Sequence, residues 1–560
     1  MSDYYNLGSH ARTVSTSSPD AQRWFDRGLV WTYTFNHEEA IVCFERMLEH
    51  DPRCAMAHWG IAYGAGPNYN KPWIYFDEQD LAATVAKTHA VTQQAVALLD
   101  TASPAEQALV RALQSRYPSP VAPPAVEDMD AWNDAYADAM REVYRANPDD
   151  LDIVTLFAEA LMNRTPWQLW DLPGRCPAEG ASTVEAREVL ERALEHPASR
   201  VHPGVLHMYI HLMEMSPWPE QALRVCDLLR GLVPDGGHLE HMPTHIDVQC
   251  GHYHNVIESN QAAIVADRKF LERAGAMNFY TLYRVHNYHF KLYGALYLGQ
   301  YQAAIDAARE MVSTIPDELL KMESPPMADW IEGFVPLDMH VLIRFGKWQE
   351  IIDTPLPEDQ SLYCYTTAII HYSKGVAYAA LGRVAEAEEQ RLLFQAAVER
   401  VPESRFFQNN TCLDILAVAA AMLDGELEYR KGSYDVAFDH LRRAIELEDN
   451  LPYAEPWAWM HPTRHALGAL LLEQDRVEEA EGVYRADLGL DDTLPRAFQH
   501  PENVWALHGY HECLHRLGKC DLAGMIKQRL DLAMARADVP IESSCFCRTT
   551  HAPLEAAAIA

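Results

Sequence analysis

Basic side chains are scarce in this sequence. Its 560 residues contain 46 lysines and arginines against 80 aspartates and glutamates, which gives a formal net charge of −34 at pH 7. Nucleic acids and anionic membranes are polyanionic, and the proteins that bind them present basic patches. The charge balance therefore argues strongly against either of them as a partner, and it favours solubility.

Long apolar runs are also missing. No uninterrupted apolar stretch approaches the roughly 20 residues that a membrane helix needs. The first ten residues, M-S-D-Y-Y-N-L-G-S-H, do not place a basic region before an apolar run, so we expect no signal peptide. The 11 cysteines are scattered, odd in number and without a C-x-x-C pair. This pattern indicates reduced thiols and a cytoplasmic location rather than a disulfide framework.

Common catalytic motifs are absent as well. The sequence has no P-loop, no G-x-G-x-x-G after a strand and no G-x-S-x-G elbow. Nucleotide-dependent and serine-hydrolase chemistry are therefore poorly supported. Alternating β-branched residues, the signal of half-buried strands, are nearly absent, which indicates an all-α chain.

What the chain does contain is a recurring turn followed by a helix with a small residue near its start. The left-handed turn residue closes the first helix, and the small residue lets the second helix approach it closely. The turns lie at Asn36, Ser216–Pro219, Gly251, Gly299, Gly346, Gly382, Gly432, Asp475 and Gly518. This pattern predicts a tetratricopeptide-like α-solenoid of antiparallel helix pairs that curves around a concave site.

We expect one solenoid over residues 1–560. Within it, N-terminal helical repeats with loop insertions occupy 19–200, and histidine-rich repeats occupy 201–315. C-terminal repeats follow over 316–538, and residues 539–560 form a tail. The wider spacing of the later turns indicates longer helices and insertions rather than a second fold.

Histidines concentrate in the second of these segments. Of the 26 histidines, 11 lie between His196 and His289. His207 and His211 are spaced i, i+4, with Glu214 three residues on, so the three share one helical face. His241 and His245 repeat the pair 34 residues later, which is the period of a tetratricopeptide repeat. The two pairs are therefore predicted to occupy equivalent positions on neighbouring helices.

Aligning the repeats on Ala222, Val256 and Ala304 brings a third helix into register. His289 then falls on the level of His207 and His241, and His286 on the level of His238. Neighbouring helix axes lie roughly 8–10 Å apart, so imidazoles from adjacent helices can reach one ion. We predict metal ligation by His207, His211, His241, His245 and His289. Further ligand or acid–base roles are predicted for Glu214, His238 and His286.

A single buried histidine is most often a hydrogen-bonded core residue, and His37, His58, His371, His461 and His508 are interpreted that way. Seven imidazoles and one carboxylate at corresponding positions of neighbouring repeats are a different case. Burying them together without a neutralising charge or a metal ion costs free energy. All-nitrogen ligation suits copper, iron or zinc, and the number of imidazoles allows one or two ions.

Several phrases of the sequence resemble a known family. They are F-N-H-E-E-A (35–40), C-A-M-A-H-W-G-I-A (54–62), G-P-N-Y-N (66–70), H-M-Y-I-H-L-M-E (207–214) and H-L-E-H-M-P-T-H-I (238–246). The chain resembles a family of large, mostly bacterial and largely uncharacterised tetratricopeptide-repeat proteins with H-x-Y-I-H-x-x-E and H-M-P-x-H-I motifs. The resemblance covers essentially the whole chain and implies the fold, but it supplies no reaction.

Two functions follow from this sequence. The first is a metal-dependent enzyme, an oxygen-dependent oxidoreductase on copper or iron that acts on a small organic molecule. Its enzymatic alternative is a zinc-assisted hydrolase or hydratase. The second is a non-catalytic scaffold that binds proteins, the usual role of such repeats. Neither function requires a nucleic acid or a membrane, and both are compatible with a homo-oligomer.

Overall fold

The protein is described here by a computed structural model that covers residues 4–549. Helices dominate this range. Its strands form two antiparallel hairpins of two-residue strands, β1 (Trp170–Asp171) with β2 (Cys176–Pro177) and β3 (Phe406–Phe407) with β4 (Asn410–Thr411). The predicted all-α fold of tetratricopeptide-like helix pairs is confirmed. Residues 550–560 of the predicted tail lie outside the described residues.

Contacts between residues divide the chain into two compact units. The first comprises residues 4–246, 259–287 and 323–325, and the second comprises 247–258, 288–322 and 326–549. The predicted segment boundaries at 200, 315 and 538 stay a prediction.

The α-helices of the first half of the chain are short to medium in length. They are α1 (Pro19–Tyr33), α2 (His37–His50), α3 (Ala55–Ala65), α4 (Glu78–Val96), α5 (Pro104–Arg116), α6 (Asp130–Ala146), α7 (Leu151–Met162), α8 (Thr183–Glu195), α9 (Pro203–Met213), α10 (Leu223–Leu229), α11 (Gly237–His241), α12 (Pro243–Gln249), α13 (Tyr253–Ala274) and α14 (Thr281–Leu298).

The remaining α-helices follow in the same manner. They are α15 (Tyr301–Ser313), α16 (Asp317–Leu320), α17 (Met327–Ile331), α18 (Leu337–Arg344), α19 (Trp348–Asp353), α20 (Cys364–Ala380), α21 (Val384–Val398), α22 (Cys412–Arg430), α23 (Tyr434–Asp449), α24 (Thr463–Glu473), α25 (Val477–Asp487), α26 (Val504–Arg516) and α27 (Cys520–Met534). Short 3₁₀ helices occupy Trp73–Tyr75, Leu99–Thr101, Val126–Met129, Pro197–Val201, Pro219–Ala222, Glu332–Phe334 and Arg496–Phe498.

The turns within the helix pairs follow the sequence prediction. Gly251, Gly299, Gly346, Gly382, Gly432, Asp475 and Gly518 all have positive φ. At Gly382 the next amide, Arg383 N–H, donates to the Tyr378 carbonyl at 2.8 Å, which satisfies an orphan carbonyl at the end of α20. With only three residues between α20 and α21, these helices pack as an antiparallel hairpin.

The first turn differs from its prediction in one position. Phe35, at φ 55°, takes the left-handed conformation there, and Asn36 is the N-cap of α2, accepting the Glu39 amide N–H at 3.2 Å. Asparagine oxygen caps a helix better than it closes one when the next residues are helical. The aromatic ring of Phe35 is thereby fixed at the tip of the turn.

Small residues are buried where the two helices of a pair pack against each other. Ala40, Ala222, Val256, Ala304, Ala387, Ala437 and Ala480 are fully buried. In the first unit α2 and α3 approach so closely that a Cβ on Gly60 would lie 2.5 Å from the Phe44 ring. The core is therefore packed around small residues, as the repeat pattern requires.

Two further expectations concern the whole chain. Cys545 and Cys547, expected to be reduced, are joined by a disulfide, whereas the other nine cysteines, all within the described range, are not disulfide-bonded. A C-x-C pair brings two thiols close enough for a bond, which scattered spacing alone does not reveal. Among the helices of residues 4–549, none is both long enough and apolar enough to cross a membrane.

Candidate metal centre

Seven of the eight predicted site residues lie in the first unit. His207 and His211 lie on α9, and Glu214 follows the end of that helix. The others are His238 and His241 on α11, His245 on α12 and His286 on α14. Pro243 begins α12, where its missing N–H costs nothing, and His241 is the last residue of α11.

One group of imidazoles is formed by His207, His211 and His238. One ligand atom from each lies within 4.8 Å of those of the other two. The Nε2 atoms of His207 and His238 face each other at 3.0 Å. The Nε2 atom of His211 is buried and has no hydrogen-bond partner among the described residues. All three side chains are at most 1% exposed, so bulk solvent does not reach these nitrogens.

Glu214 lies between this group and the next. His211 Nδ1–H donates to one carboxylate oxygen of Glu214 at 3.0 Å, and His245 Nδ1–H donates to the other. A carboxylate at Nδ1 fixes the ring orientation and leaves the Nε2 lone pair for a metal, which is the usual arrangement around a metal-bound histidine. Glu214 thus bridges His211 and His245, and these three residues together also have metal-ligand spacing.

The second group consists of His241, His245 and His286. His241 Nδ1–H donates to Asn260 Oδ1 at 2.7 Å, and the Asn260 amide group donates to Thr244 Oγ1 at 3.2 Å, which fixes the amide orientation. Both His241 and His245 therefore have their Nδ1 protons engaged. Their Nε2 atoms nevertheless face each other at 2.7 Å. Two lone pairs at this distance repel unless a cation lies between them.

Protonation does not readily supply that cation. Burial and, after it, the neighbouring imidazoles hold the pKa values of His207, His238 and His245 well below the ordinary value for histidine. Burial lowers the pKa of His211 and of His241 to about 3. The imidazoles are therefore neutral near pH 7, which is the state that binds a transition metal.

The arrangement also has the dimensions of a metal site. Two imidazole nitrogens that each lie ~2.0–2.1 Å from one ion are about 3 Å apart. His286 completes the second group, with its ring centroid 4.7 Å from that of His241. Three nitrogen ligands in each group leave a coordination position open for water or substrate, as in catalytic rather than structural sites.

Aromatic side chains cover the first group. The Phe35 ring lies 4.6 Å from His207, 5.7 Å from His211 and 5.2 Å from His238, measured between ring centroids. Tyr69 lies 4.9 Å from His211. These buried aromatic rings give the first group apolar surroundings, which lower the local dielectric constant and strengthen electrostatic interactions between the imidazoles and a bound ion.

His289 is the predicted ligand that the structure does not bring to these groups. It belongs to the second unit, where its Nε2 atom lies 2.8 Å from Met460 Sδ and its Nδ1 atom lies 3.2 Å from the Gln408 amide nitrogen. His286 and His289 are three residues apart on α14, so their side chains point about 60° apart around the helix axis. The structure therefore brings His286 rather than His289 into the second group. Metal ligation by either residue stays a prediction.

A third cluster, His10, Asp152 and His202, also has metal-ligand spacing. Here the hydrogen bonds decide against a metal. His202 Nδ1 accepts the Val205 amide N–H at 3.2 Å, so its Nε2 carries the proton and donates to Asp152 at 3.1 Å. Asp152 also accepts from Tyr33 and Arg12. This cluster is a satisfied network that caps the start of α9 and so positions His207 and His211.

Sequence reasoning missed Asn260, Phe35 and the Asp152 cluster. Asn260 lies 19 residues after His241, on another helix, and no spacing rule connects the two. Phe35 was visible only as part of a repeat turn. Its positive φ, a conformation that often marks a functional position in a non-glycine residue, is seen only in the structure, because the sequence pattern assigns the turn to Asn36.

Glu214→Gln tests the role of this carboxylate. Glutamine keeps the shape but accepts only one of the two Nδ1 protons, so we expect metal affinity to fall about 10–100-fold while the stoichiometry at saturating metal is kept. Competition against a chromophoric chelator measures the affinity. Glu240→Gln is the matched control, because Glu240 is buried in the same unit and bonded to the Gly231 amide rather than to an imidazole. Equal affinity of both variants and the native protein would contradict the role.

Comparisons with known proteins add the following. No family model and no curated protein matches this chain. Among solved structures, it is similar to a human IFIT1 dimer with m7Gppp-AAAA, at 11% identity and a TM-score of 0.32, over 87% of this chain and 90% of that one.

Two other similar structures are repeat or complex components. The Cut9–Hcn1 heterotetramer of APC/C matches at 13% identity and a TM-score of 0.26, over 93% of this chain and 94% of that one. The P58(IPK) TPR domain matches at 12% identity and a TM-score of 0.20, over 83% and 99%. At these identities and TM-scores the likenesses carry no argument about function, which depends on the site itself.

Proposed function

We propose that this protein is a metal-dependent enzyme that holds one or two transition-metal ions among the imidazoles of its first unit. One observation carries the proposal. His241 and His245 direct two Nε2 lone pairs at each other across 2.7 Å, while their Nδ1 protons are engaged by Asn260 and Glu214. Burying such a pair is costly unless a cation is bound.

The ligand set favours copper or iron. Imidazole nitrogens suit copper, iron and zinc, whereas structural zinc sites are mostly rich in cysteine. A redox-active metal in aromatic surroundings favours oxygen-dependent oxidation of a small organic molecule. With zinc, the same open coordination position would instead support hydrolysis or hydration.

The protein side chains have defined parts in this chemistry. Glu214 keeps the protons of His211 and His245 on Nδ1, and Asn260 does the same for His241. The Phe35 and Tyr69 rings exclude water from the first group. His286, half-buried at the edge of the second group, is the imidazole best placed to exchange a proton with solvent. A bound metal supplies the electron transfer or the activated water.

A protein-binding scaffold is the second candidate. The observation that favours it is the architecture of helix pairs, which presents extended surfaces for peptides. It gives no role to the five buried imidazoles of the two groups or to His286 beside them. For that reason we rank it below the metalloenzyme.

Elemental analysis separates the two candidates. Protein purified without added metal from a medium that contains copper, iron and zinc is expected to carry roughly one or two ions per chain. Protein that is free of metal, and that takes up none on incubation with Cu(II), Fe(II) or Zn(II), would overturn the proposal. Saturable binding of a peptide by such metal-free protein would establish the scaffold.

A further inference from the structure

A pocket of about 360 Å³ lies in the first unit. Its lining contains five aromatic rings, those of Phe35, Phe76, Phe279, Tyr280 and Tyr283, together with several polar and charged side chains. Pockets of this size, in which aromatic side chains give contact area and polar groups fix the orientation, are typical of small-molecule sites. The predicted functional residues did not include this pocket.

The pocket and the histidine groups share a wall. Phe35 and Tyr283 line the pocket, and the rings of both residues also lie beside the imidazole of His238. Phe35 lies 5.2 Å from His238, and Tyr283 also lies 5.2 Å from His238, between ring centroids. Only the ring of Phe35 or Tyr283 therefore separates a molecule in the pocket from His238, one of the candidate metal-binding residues.

Two lysines, Lys71 and Lys87, and two carboxylates, Glu38 and Asp80, line the pocket, so the formal charges of its lining cancel. Lys71 Nζ donates to Asp80 at 2.8 Å and lies 3.9 Å from the centroid of the Phe76 ring. Glu38 accepts the Phe279 amide N–H at 3.4 Å. A ligand consequently needs no net charge to satisfy these groups.

Among the polar side chains of the pocket, His37 carries a hydrogen-bond acceptor that a ligand can use. It is 9% exposed and lines the pocket. Its Nδ1–H donates to the Gly64 carbonyl at 3.2 Å, because a carbonyl can only accept. Burial lowers its pKa to about 4, so the ring is neutral and Nε2 carries a lone pair. That Nε2 atom is buried with no hydrogen-bond partner among residues 4–549.

We propose that this pocket is the substrate site of the metal centre, and that it takes a small, uncharged aromatic molecule whose O–H donates to His37 Nε2. The aromatic walls receive the ring of the ligand, and the acceptor on His37 selects a phenolic hydroxyl over an ether or a bare ring. The assignment as substrate site depends on the proposed function, whereas the binding itself does not.

Calorimetric titration of the full chain with phenol and with anisole tests the proposal. Anisole has the same ring but no O–H, so it leaves His37 unpaired. The native protein is expected to bind phenol about tenfold more tightly than anisole. His37→Phe is expected to remove this preference while anisole still binds, which shows that the pocket is intact.

His89→Phe is the matched control. His89 Nδ1–H also donates to a backbone carbonyl, that of Tyr117 at 2.9 Å, but this residue does not line the pocket. It should keep the tenfold preference. Equal binding of phenol and anisole by the native protein, or an unchanged preference in His37→Phe, would overturn the pocket assignment.

Titrations with metal-loaded and chelator-treated protein keep the two proposals separate. If the protein prefers phenol over anisole but never takes up metal, the phenol site is supported and the proposed metal-dependent function is refuted. Metal uptake without phenol preference would keep the metal centre and remove the phenol site.

Discussion

Replacement of His211 and His245 together by alanine is expected to reduce the bound transition metal to less than about a tenth of the native content. Loss of a residue that only orients a ligand already costs about 10–100-fold in affinity, and this double variant removes two ligands outright. It also removes the two imidazoles that donate to Glu214, so each histidine group loses one residue. Inductively coupled plasma mass spectrometry of the purified protein gives the metal content.

The control for this variant removes two histidines elsewhere. His371 and His440 lie on α20 and α23 of the second unit, and the double alanine variant of these residues should keep the native metal content. Circular dichroism checks that both variants remain helical. Should His211→Ala with His245→Ala unfold, the double asparagine variant replaces it, because asparagine fills the space with a polar group. Native metal content in a folded double variant would refute ligation by these residues.

Replacement of Asp152 by asparagine is expected to destabilise the first unit by about 3–5 kcal/mol at pH 7. The carboxylate is 90% buried and accepts from His10, His202 and Tyr33. Asparagine accepts fewer hydrogen bonds and leaves part of this network unpaired in the interior. The midpoint of urea unfolding measures the loss.

The pH dependence of this difference has a definite sign. Burial raises the pKa of Asp152, but the hydrogen bonds from His10 and His202 outweigh it and hold the pKa well below the ordinary value. A depressed carboxyl pKa contributes stability above the unfolded value of about 3.9, and that contribution is lost as the pH falls through the folded value. The gap between native protein and Asp152→Asn should stay constant from pH 7 to about 5 and narrow below about 4.

Asp149→Asn is the control for Asp152→Asn. Asp149 lies close by in the sequence but is exposed, with an ion pair to Arg192 at 3.7 Å. Exposed pairs of this kind contribute little, so a change of less than about 1 kcal/mol is expected. A similar, small effect of both substitutions would show that the buried network does not stabilise the start of α9.

The candidate site was predictable where one helix decides the geometry. The i, i+4 spacing places His207 and His211 on one face of α9, because each residue adds a rotation of about 100° and the sequence separation gives the sum directly. His241 and His245 have the same spacing but lie on two successive helices, α11 and α12.

The sequence was not sufficient where the packing between helices decides which side chain joins a group. His286 and His289 both fitted the repeat pattern, but which of them joins His241 depends on the rotation of α14 about its own axis. Asn260 engages His241 from α13, which follows α12 after a three-residue turn, and no period connects them. The neutral state of the imidazoles also depends on burial, which the sequence does not give.

By itself the sequence determined the class of fold, the turns that close the helices and the set of histidines available to a metal. These follow from local backbone preferences and from helical periodicity, which act over a few neighbouring residues. Only the tertiary structure shows that Glu214 contacts two imidazoles and that His289 belongs to neither histidine group. It also shows that Phe35 lies between the first group and a pocket. Such features depend on packing between distant segments, where side-chain volume and burial select one arrangement among several that the sequence pattern allows.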